Sequence, residues 1–167
     1  MPARGHAAAG GVIVLVILDR ALKHVLWLLV AILTTSVFLQ VLIRFVFKYP
    51  LPWTEEVSRI AFVYSIFVGA TIAVREKTHL NIDVILVLLP KGMARAITVF
   101  GALLVGIFLG FVTWEGVVLV RATGVQMTPV MQIPFRYLYL VVPASGALML
   151  LYLVLGLVDY LCQKGES

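Results

Sequence analysis

Charged residues, cysteine and histidine are scarce in this chain, and each shortage excludes a class of protein. Asp, Glu, Lys and Arg make up 13% of the 167 residues, where soluble domains carry about 25%. A single cysteine, Cys162, excludes an intrachain disulfide and any cysteine-based metal cluster. The histidines, His6, His24 and His79, lie outside the deep parts of the apolar runs, which excludes a haem held by two histidines inside a helical bundle.

Apolar residues are what the sequence has instead. They make up 62% of the chain, and the mean hydropathy is +1.09, far above that of a soluble domain. The net charge of +5 does not indicate nucleic-acid binding, because the basic residues stand at the ends of apolar runs and form no patch with interleaved aromatic or glycine residues. The sequence therefore predicts an integral membrane protein, with lipids around it and no nucleic-acid partner.

Four apolar runs are long enough to cross a bilayer, whose hydrocarbon core of about 30 Å takes about 20 helical residues. They predict an all-α membrane domain over residues 23–162, with spans at about 24–47, 54–75, 96–120 and 135–161. Residues 1–22 are predicted to form an N-terminal cytoplasmic or interfacial segment, and residues 163–167 a cytoplasmic tail.

Two shorter apolar pieces are predicted to lie at the membrane surface. Gly11–Leu18 has the composition of a signal-peptide core, but no small-residue cleavage site follows it, so we expect it to stay attached at the interface. Residues 75–95 contain a second piece that is too short to cross, with Asn81 and Asp83 before it and Pro90 after it. Short interfacial helical segments thus complete the predicted fold.

Lysine and arginine at the ends of the runs determine the predicted orientation. One side carries Arg4, Arg20, Lys23, Arg75, Lys77, Lys91, Arg95 and Lys164, and the other carries Arg44, Lys48, Arg121 and Arg136. Because short cytoplasmic loops carry the excess of positive charge, the richer side is predicted to be cytoplasmic. Both termini are then cytoplasmic, and the second span begins at the outer surface.

The second span begins with charged residues that an apolar helix does not need. Thr54 is predicted to cap the helix, which puts Glu55 and Glu56 in its first turn, where carboxylates complement the helix dipole. Arg59 follows Glu55 by four residues, which is the favourable order for an ion pair on one helix face. Glu115 lies at a matching depth in the third span.

These residues predict a polar cluster in the outer leaflet, made of Glu55, Glu56, Arg59 and Glu115 and joined by Arg44. In the alternative interpretation, each charge reaches water separately and only anchors its own helix. The sequence alone leaves both interpretations open.

Small residues recur every four positions in two of the spans. The second span carries Ala61, Ser65, Gly69 and Ala73, and the third carries Thr98, Ala102, Gly106 and Gly110. Small side chains let membrane helices approach closely, and the van der Waals contacts of close packing stabilise helix association in lipid. The two stripes predict helix packing, either within the bundle or against an external helical partner.

The residues that catalysis or transport would need are missing from the pattern. No Ser, His and Asp stand in a plausible register, and neither a phosphate-binding glycine loop nor a metal-ligand spacing is present, so the chain is predicted not to be an enzyme. A self-sufficient carrier would carry ionisable residues near the bilayer midplane, where these spans have only hydroxyls and Pro143. The pattern favours a scaffold over a carrier.

Two blocks of the sequence resemble a known transporter family. The first is RFVFKYPLPWTEEVSRIAFVYSIFVGATIAVREKTHLNIDVILVLLP, and the second is TGVQMTPVMQIPFRYLYLVVPASGALMLL, which begins at Thr123. The matching features are Arg44-Phe45, Trp53-Thr54-Glu55-Glu56, Arg59, Gly69-Ala70, Arg75, His79, Asp83, Thr128-Pro129, Ile133-Pro134 and Pro143 with Gly146. As a set they resemble the small membrane subunit, DctQ-type or Q subunit, of tripartite ATP-independent periplasmic (TRAP) transporters.

The resemblance implies a part in secondary uptake across the bacterial inner membrane. In such systems a periplasmic binding protein (P-type) captures an organic acid, such as a C4-dicarboxylate, a keto acid or a sialic acid. A large multi-span subunit (M-type) carries it inward by symport with sodium ions, and the small subunit associates with it as a scaffold. The resemblance therefore implies no cofactor in this chain, because the sodium and substrate sites belong to the large partner.

The resemblance also implies which residues serve structure and subunit contact. The candidates are Arg44, Trp53, Glu55, Glu56, Arg59, Gly69, Arg75, His79, Asp83, Glu115, Pro129 and Pro134. For Arg75, His79 and Asp83 the alternative is a solvated cytoplasmic loop with a helix-capping Asp. The outer loops at 48–53 and 121–134 are where a binding protein would dock, unless the second loop is only a rigid turn.

A protein of another class stays open beside this interpretation. A stand-alone four-helix membrane protein would be either a small exporter or an assembly factor. An exporter needs an essential carboxylate near mid-membrane, and the single candidate, Glu115, lies towards the outer end of its span.

Overall fold

The structure, a computed structural model, describes residues 4–79 and 91–163 of the chain. Its helices are α1 (Arg4–Val46), α2 (Pro52–His79), α3 (Lys91–Ala122), α4 (Phe135–Tyr139) and α5 (Val141–Gln163). The predicted interfacial piece between the second and third spans, with Asp83, lies largely outside the described residues.

Four stretches of helix are long and apolar enough to cross a membrane. They are Leu15–Val46, Pro52–Glu76, Ala96–Ala122 and Phe135–Val158. The predicted all-α membrane fold with four spans is therefore confirmed, whereas the orientation of the termini stays a prediction. The described residues divide into two compact units, Met1–Ile72 and Ala73–Ser167, which we call the first and second unit.

The first helix is much longer than its predicted span. Helix α1 runs for 43 residues without a break, so Gly11–Leu18 belongs to the same helix as the apolar run that begins near His24. The helix ends where Lys48 takes a left-handed φ of 51°, a conformation typical of helix C-termini. Its interfacial position stays a prediction, but the N-terminal segment is not a separate element.

Helix α2 begins two residues before the predicted cap. Pro52 occupies its first position, where a proline lacks only an N–H that has no helical partner. The prediction that Thr54 caps the helix is wrong: Thr54 Oγ1 donates to the carbonyl of Leu51 at 2.6 Å and accepts no N–H from the next turn. The helix also continues to His79, so Arg75 and His79 are helical and do not belong to a loop.

Three of the buried residues of α2 follow a seven-residue spacing. Thr54, Ala61 and Val68 are all buried, because positions seven apart drift by only about 20° around a helix. Positions four apart drift by about 40° at each step, so the predicted stripe turns away and Ala73 is exposed. Gly69 faces α1, where a Cβ would lie 3.9 Å from Leu26 Cδ1.

In the second unit, α3 and α5 pack antiparallel through small residues. A Cβ on Gly106 would lie 3.4 Å from Leu153, one on Gly116 would lie 3.1 Å from Pro143 Cδ, and one on Gly146 would overlap the Thr113 hydroxyl. The predicted four-residue stripe is right at Gly106 but wrong at Gly110, which has nothing within 4 Å. The contact line of α3 instead runs through Gly106, Leu109, Thr113 and Gly116, at alternating three- and four-residue steps.

Candidate subunit-contact surfaces

The start of α2 presents an ion pair to the surroundings. Arg59 Nη2 lies 3.2 Å from Glu55 Oε1, and their side chains are 57% and 62% exposed. The favourable Glu-before-Arg order is therefore realised as predicted. An exposed pair of this kind contributes about 0–1 kcal/mol to stability.

The neighbouring Glu56 differs from Glu55 in its environment. Glu56 is 7% exposed and Thr54 is fully buried, whereas Trp53 is 43% exposed. Of the predicted cluster, Glu55 and Arg59 thus form an exposed pair, and Glu56 is a buried carboxylate. The sequence does not distinguish them, because adjacent glutamates in a first turn satisfy the dipole equally well.

The other two residues of the predicted cluster are also exposed. Arg44 lies in the last turn of α1, where a cation complements the negative end of the helix dipole. Glu115 belongs to α3 in the second unit. Its pairing with Arg59 joins residues of different units and stays a prediction.

Arg75 lies over an aromatic ring that the sequence analysis did not single out. Its guanidinium carbon is 5.0 Å from the ring centroid of Tyr152, and Tyr152 is 3% exposed. Such a contact stabilises by about 0.5–2 kcal/mol and fastens the end of α2 to α5. The available signal was the spacing of Ser145, Met149 and Tyr152, which places a tyrosine on the buried side of α5.

The connection from α3 to α4 is an ordered loop. The amide and carbonyl of Ile133 bond to the hydroxyl and amide of Thr128, each at 3.0 Å. The Phe135 amide donates to the carbonyl of Gln126 at 2.9 Å, and Arg136 Nη2 donates to the carbonyl of Gly124 at 3.0 Å. The segment is therefore an ordered turn, and docking of a binding protein on it stays a prediction.

The same loop exposes apolar side chains. Val125 is 91% exposed, and Met127, Val130 and Met131 are 59%, 47% and 43% exposed. Pro129 is exposed at the tip, and Pro134 directly precedes α4 with φ −60°. A loop held by so many hydrogen bonds keeps these apolar side chains at its surface, which is a property of binding surfaces.

Metal-binding groups and cavities add no candidate site among the described residues. No three His, Cys, Asp or Glu side chains among them are grouped so that they could hold a metal ion. The cavity on α1 is shallow and lined by Leu33, Thr34, Val37, Phe38 and Val41, whose single polar group is a threonine hydroxyl. Of the other candidate residues, His79 is described only as the last residue of α2.

Comparison with known proteins gives a consistent assignment. A family model described as tripartite ATP-independent periplasmic transporters, DctQ component, matches residues 33–163. A protein of Haemophilus influenzae strain KW20, named a TRAP transporter small permease protein, is 30% identical over 129 residues, which are 77% of this chain and 78% of that protein.

Two longer proteins match parts of the chain. The sialic acid TRAP transporter permease protein SiaT of Haemophilus influenzae strain 86-028NP is 39% identical over 66 residues, 40% of this chain and 11% of that protein. The isethionate TRAP transporter permease protein DctMQ of Oleidesulfovibrio alaskensis is 26% identical over 99 residues, 58% of this chain and 16% of that protein.

Proposed function

Because the chain belongs to the DctQ component family of TRAP transporters, we propose that it is the accessory subunit of a sodium-coupled importer of organic acids. It would form the fixed scaffold beside a large permease subunit in the bacterial inner membrane, with both termini in the cytoplasm. The observation that carries the proposal is the family match over residues 33–163, which covers the first span from Leu33 onwards and the other three spans completely.

The longer relatives support a large permease as the partner. In SiaT the matched segment is 11% of the protein, and in DctMQ it is 16%. Each of these permease proteins therefore carries a much longer stretch of chain in addition to the segment like this one. We infer that a separate large subunit supplies the corresponding part here, together with the substrate and sodium sites.

The ordered loop between α3 and α4 supports docking of a periplasmic binding protein. Its backbone is held by hydrogen bonds, and its exposed tip combines Val125, Met127 and Pro129. A preformed loop pays little ordering entropy on binding. In the proposed orientation this loop lies on the periplasmic side, where a soluble binding protein has access to it.

Purification of the tagged protein from its native membranes in mild detergent tests the proposal. We expect a large polytopic subunit to co-purify in near-equal amount. Reconstituted with the binding protein, this complex should take up an organic acid only when a sodium gradient is imposed. A lone homo-oligomer that drives transport in liposomes by itself would contradict the proposed role.

A further inference from the structure

A row of exposed side chains runs along α3 opposite its contact with α5. The row consists of Phe100, Leu104, Phe108, Phe111, Trp114 and Val118, with Glu115 among them, and we call it the outward face of α3. Its members recur every three or four residues, so they form one stripe along the helix. Phe108 is 62% and Phe111 is 64% exposed, and both stand in a candidate membrane span, so lipid or another membrane helix faces them.

Glu115 is set back from the end of its candidate span. It lies inside the span Ala96–Ala122 and precedes the end of that span by seven residues, which is about 10 Å along the helix axis. Helical side chains lean towards the N-terminus of their helix, so the carboxylate leans away from the nearer end. A glutamate is also shorter than the Lys and Arg side chains that extend to the interface.

Arg59 has the opposite arrangement, and this difference points away from Arg59 as the partner. It follows the start of α2 at Pro52 by seven residues and leans towards that nearer end. Its guanidinium already lies 3.2 Å from Glu55 in its own unit. Glu115, by contrast, makes no ion pair with any described residue of the second unit.

We propose that the outward face of α3 binds a transmembrane helix of the large permease, and that a Lys or Arg side chain of that helix pairs with Glu115. The proposal rests on the proposed function, since it names the surface that this partner covers. Charge complementarity selects the occupant, because a buried carboxylate is tolerated in a membrane when a cation pairs with it. Phe111 and Trp114 beside Glu115 would exclude water from the pair.

Charge variants of Glu115 test the pair in the native complex. The tagged wild type, Glu115→Gln and Glu115→Lys are purified from native membranes, and the co-purifying large subunit is quantified. We expect Glu115→Lys to lose it about tenfold or more and Glu115→Gln to lose less. A Lys or Arg to Glu change in a membrane helix of the partner should restore binding of the Glu115→Lys chain.

The outcomes separate this proposal from the proposed function. If the wild type brings down no large subunit, the proposed function fails first. If the wild type binds the subunit and both variants bind it equally well, only the docking surface is refuted. Restoration of the Glu115→Lys chain by Arg59→Glu or Arg44→Glu would place Glu115 inside the bundle and would also overturn the proposal.

Crosslinking tests the surface without relying on a charge change. In a Cys162→Ser background, Phe108→Cys places a thiol on the outward face. Leu151→Cys on α5 is the matched control, since Leu151 is also exposed, at 48%. It lies level with Phe108, because Gly106 of α3 faces Leu153 of α5 and Thr113 of α3 faces Gly146 of α5. We expect an apolar crosslinker to join the large subunit to Phe108→Cys and not to Leu151→Cys; equal yields would refute the surface.

Discussion

Replacing Gly146 by alanine is expected to weaken the contact between α3 and α5. The new Cβ would overlap the Thr113 hydroxyl and would lie 3.3 Å from Thr113 Cβ. The hydroxyl does not give way freely, because it donates to the carbonyl of Leu109 at 2.7 Å. Overpacking costs about 1–3 kcal/mol, which lowers the ratio of folded to unfolded protein about 5- to 150-fold.

The measurement is an unfolding titration of the purified protein in mild detergent. The mole fraction of SDS is raised in steps, and the loss of helix is monitored by far-ultraviolet circular dichroism. Gly110→Ala is the matched control, since it makes the same change in α3 at a position where a Cβ meets nothing within 4 Å. Alanine is the better helix former by up to about 1 kcal/mol. The control should therefore be as stable as the wild type or more stable.

A second substitution identifies the cause of the loss. Thr113→Ala removes the hydroxyl that the new methyl group meets, so the double variant with Gly146→Ala should recover most of the lost stability. Equal stability of Gly146→Ala and Gly110→Ala would show that the helices do not meet at this position. Failure of Thr113→Ala to rescue Gly146→Ala would show that the hydroxyl is not the obstacle.

Two further contacts give predictions of their own. Arg75→Gln should lower the free energy of unfolding by about 0.5–2 kcal/mol in the wild type. In a Tyr152→Leu background it should have little effect, because the cation–π contact is then already lost. A double-mutant cycle of unfolding free energies in which Arg75→Gln has the same effect in both backgrounds would contradict the contact. Thr128→Val should remove the hydroxyl that accepts from the Ile133 amide, and hydrogen exchange of that amide should become faster; Thr128→Ser keeps the hydroxyl and should leave the exchange rate unchanged. Equal exchange rates of the Ile133 amide in the two variants would show that the Thr128 hydroxyl does not hold the loop.

The apolar runs were sufficient to predict the four spans, because crossing a bilayer requires a length that other helices rarely show. The ends of the helices were less predictable. Pro52 at the first position and Thr54 as the cap are both reasonable starts for α2, and the choice depends on where the Leu51 carbonyl lies. The continuity of α1 through Asp19 and Arg20 was also missed, because charged residues resemble a boundary in sequence but do not interrupt a helix.

Side-chain environments required the tertiary structure. Glu55 and Glu56 are adjacent and chemically identical, yet the first is exposed and the second buried. The glycine stripe of α3 was predicted with the wrong period, since the line that contacts α5 follows three- and four-residue steps. By contrast, the Glu55–Arg59 pair was predictable, because both residues belong to one helix and its geometry alone brings them together.

The length of α1 has a consequence for the bilayer around it. The candidate span Leu15–Val46 contains 32 residues, which rise about 48 Å, against a hydrocarbon core of about 30 Å. To fit entirely within the core, the stretch would have to tilt by about 50°, beyond the range of about 0–40° that membrane helices adopt.

Hydrophobic mismatch therefore places the first residues of this stretch at the level of the lipid headgroups. Counted back from Val46, a tilt of about 20–40° leaves room for about 21–26 residues in the core. The helix then leaves the core close to Lys23, where the charged residues Asp19 and Arg20 also stand. In a thicker bilayer α1 would stand more upright, because drawing Leu15 to Leu18 into the core would bring Asp19 and Arg20 in with them.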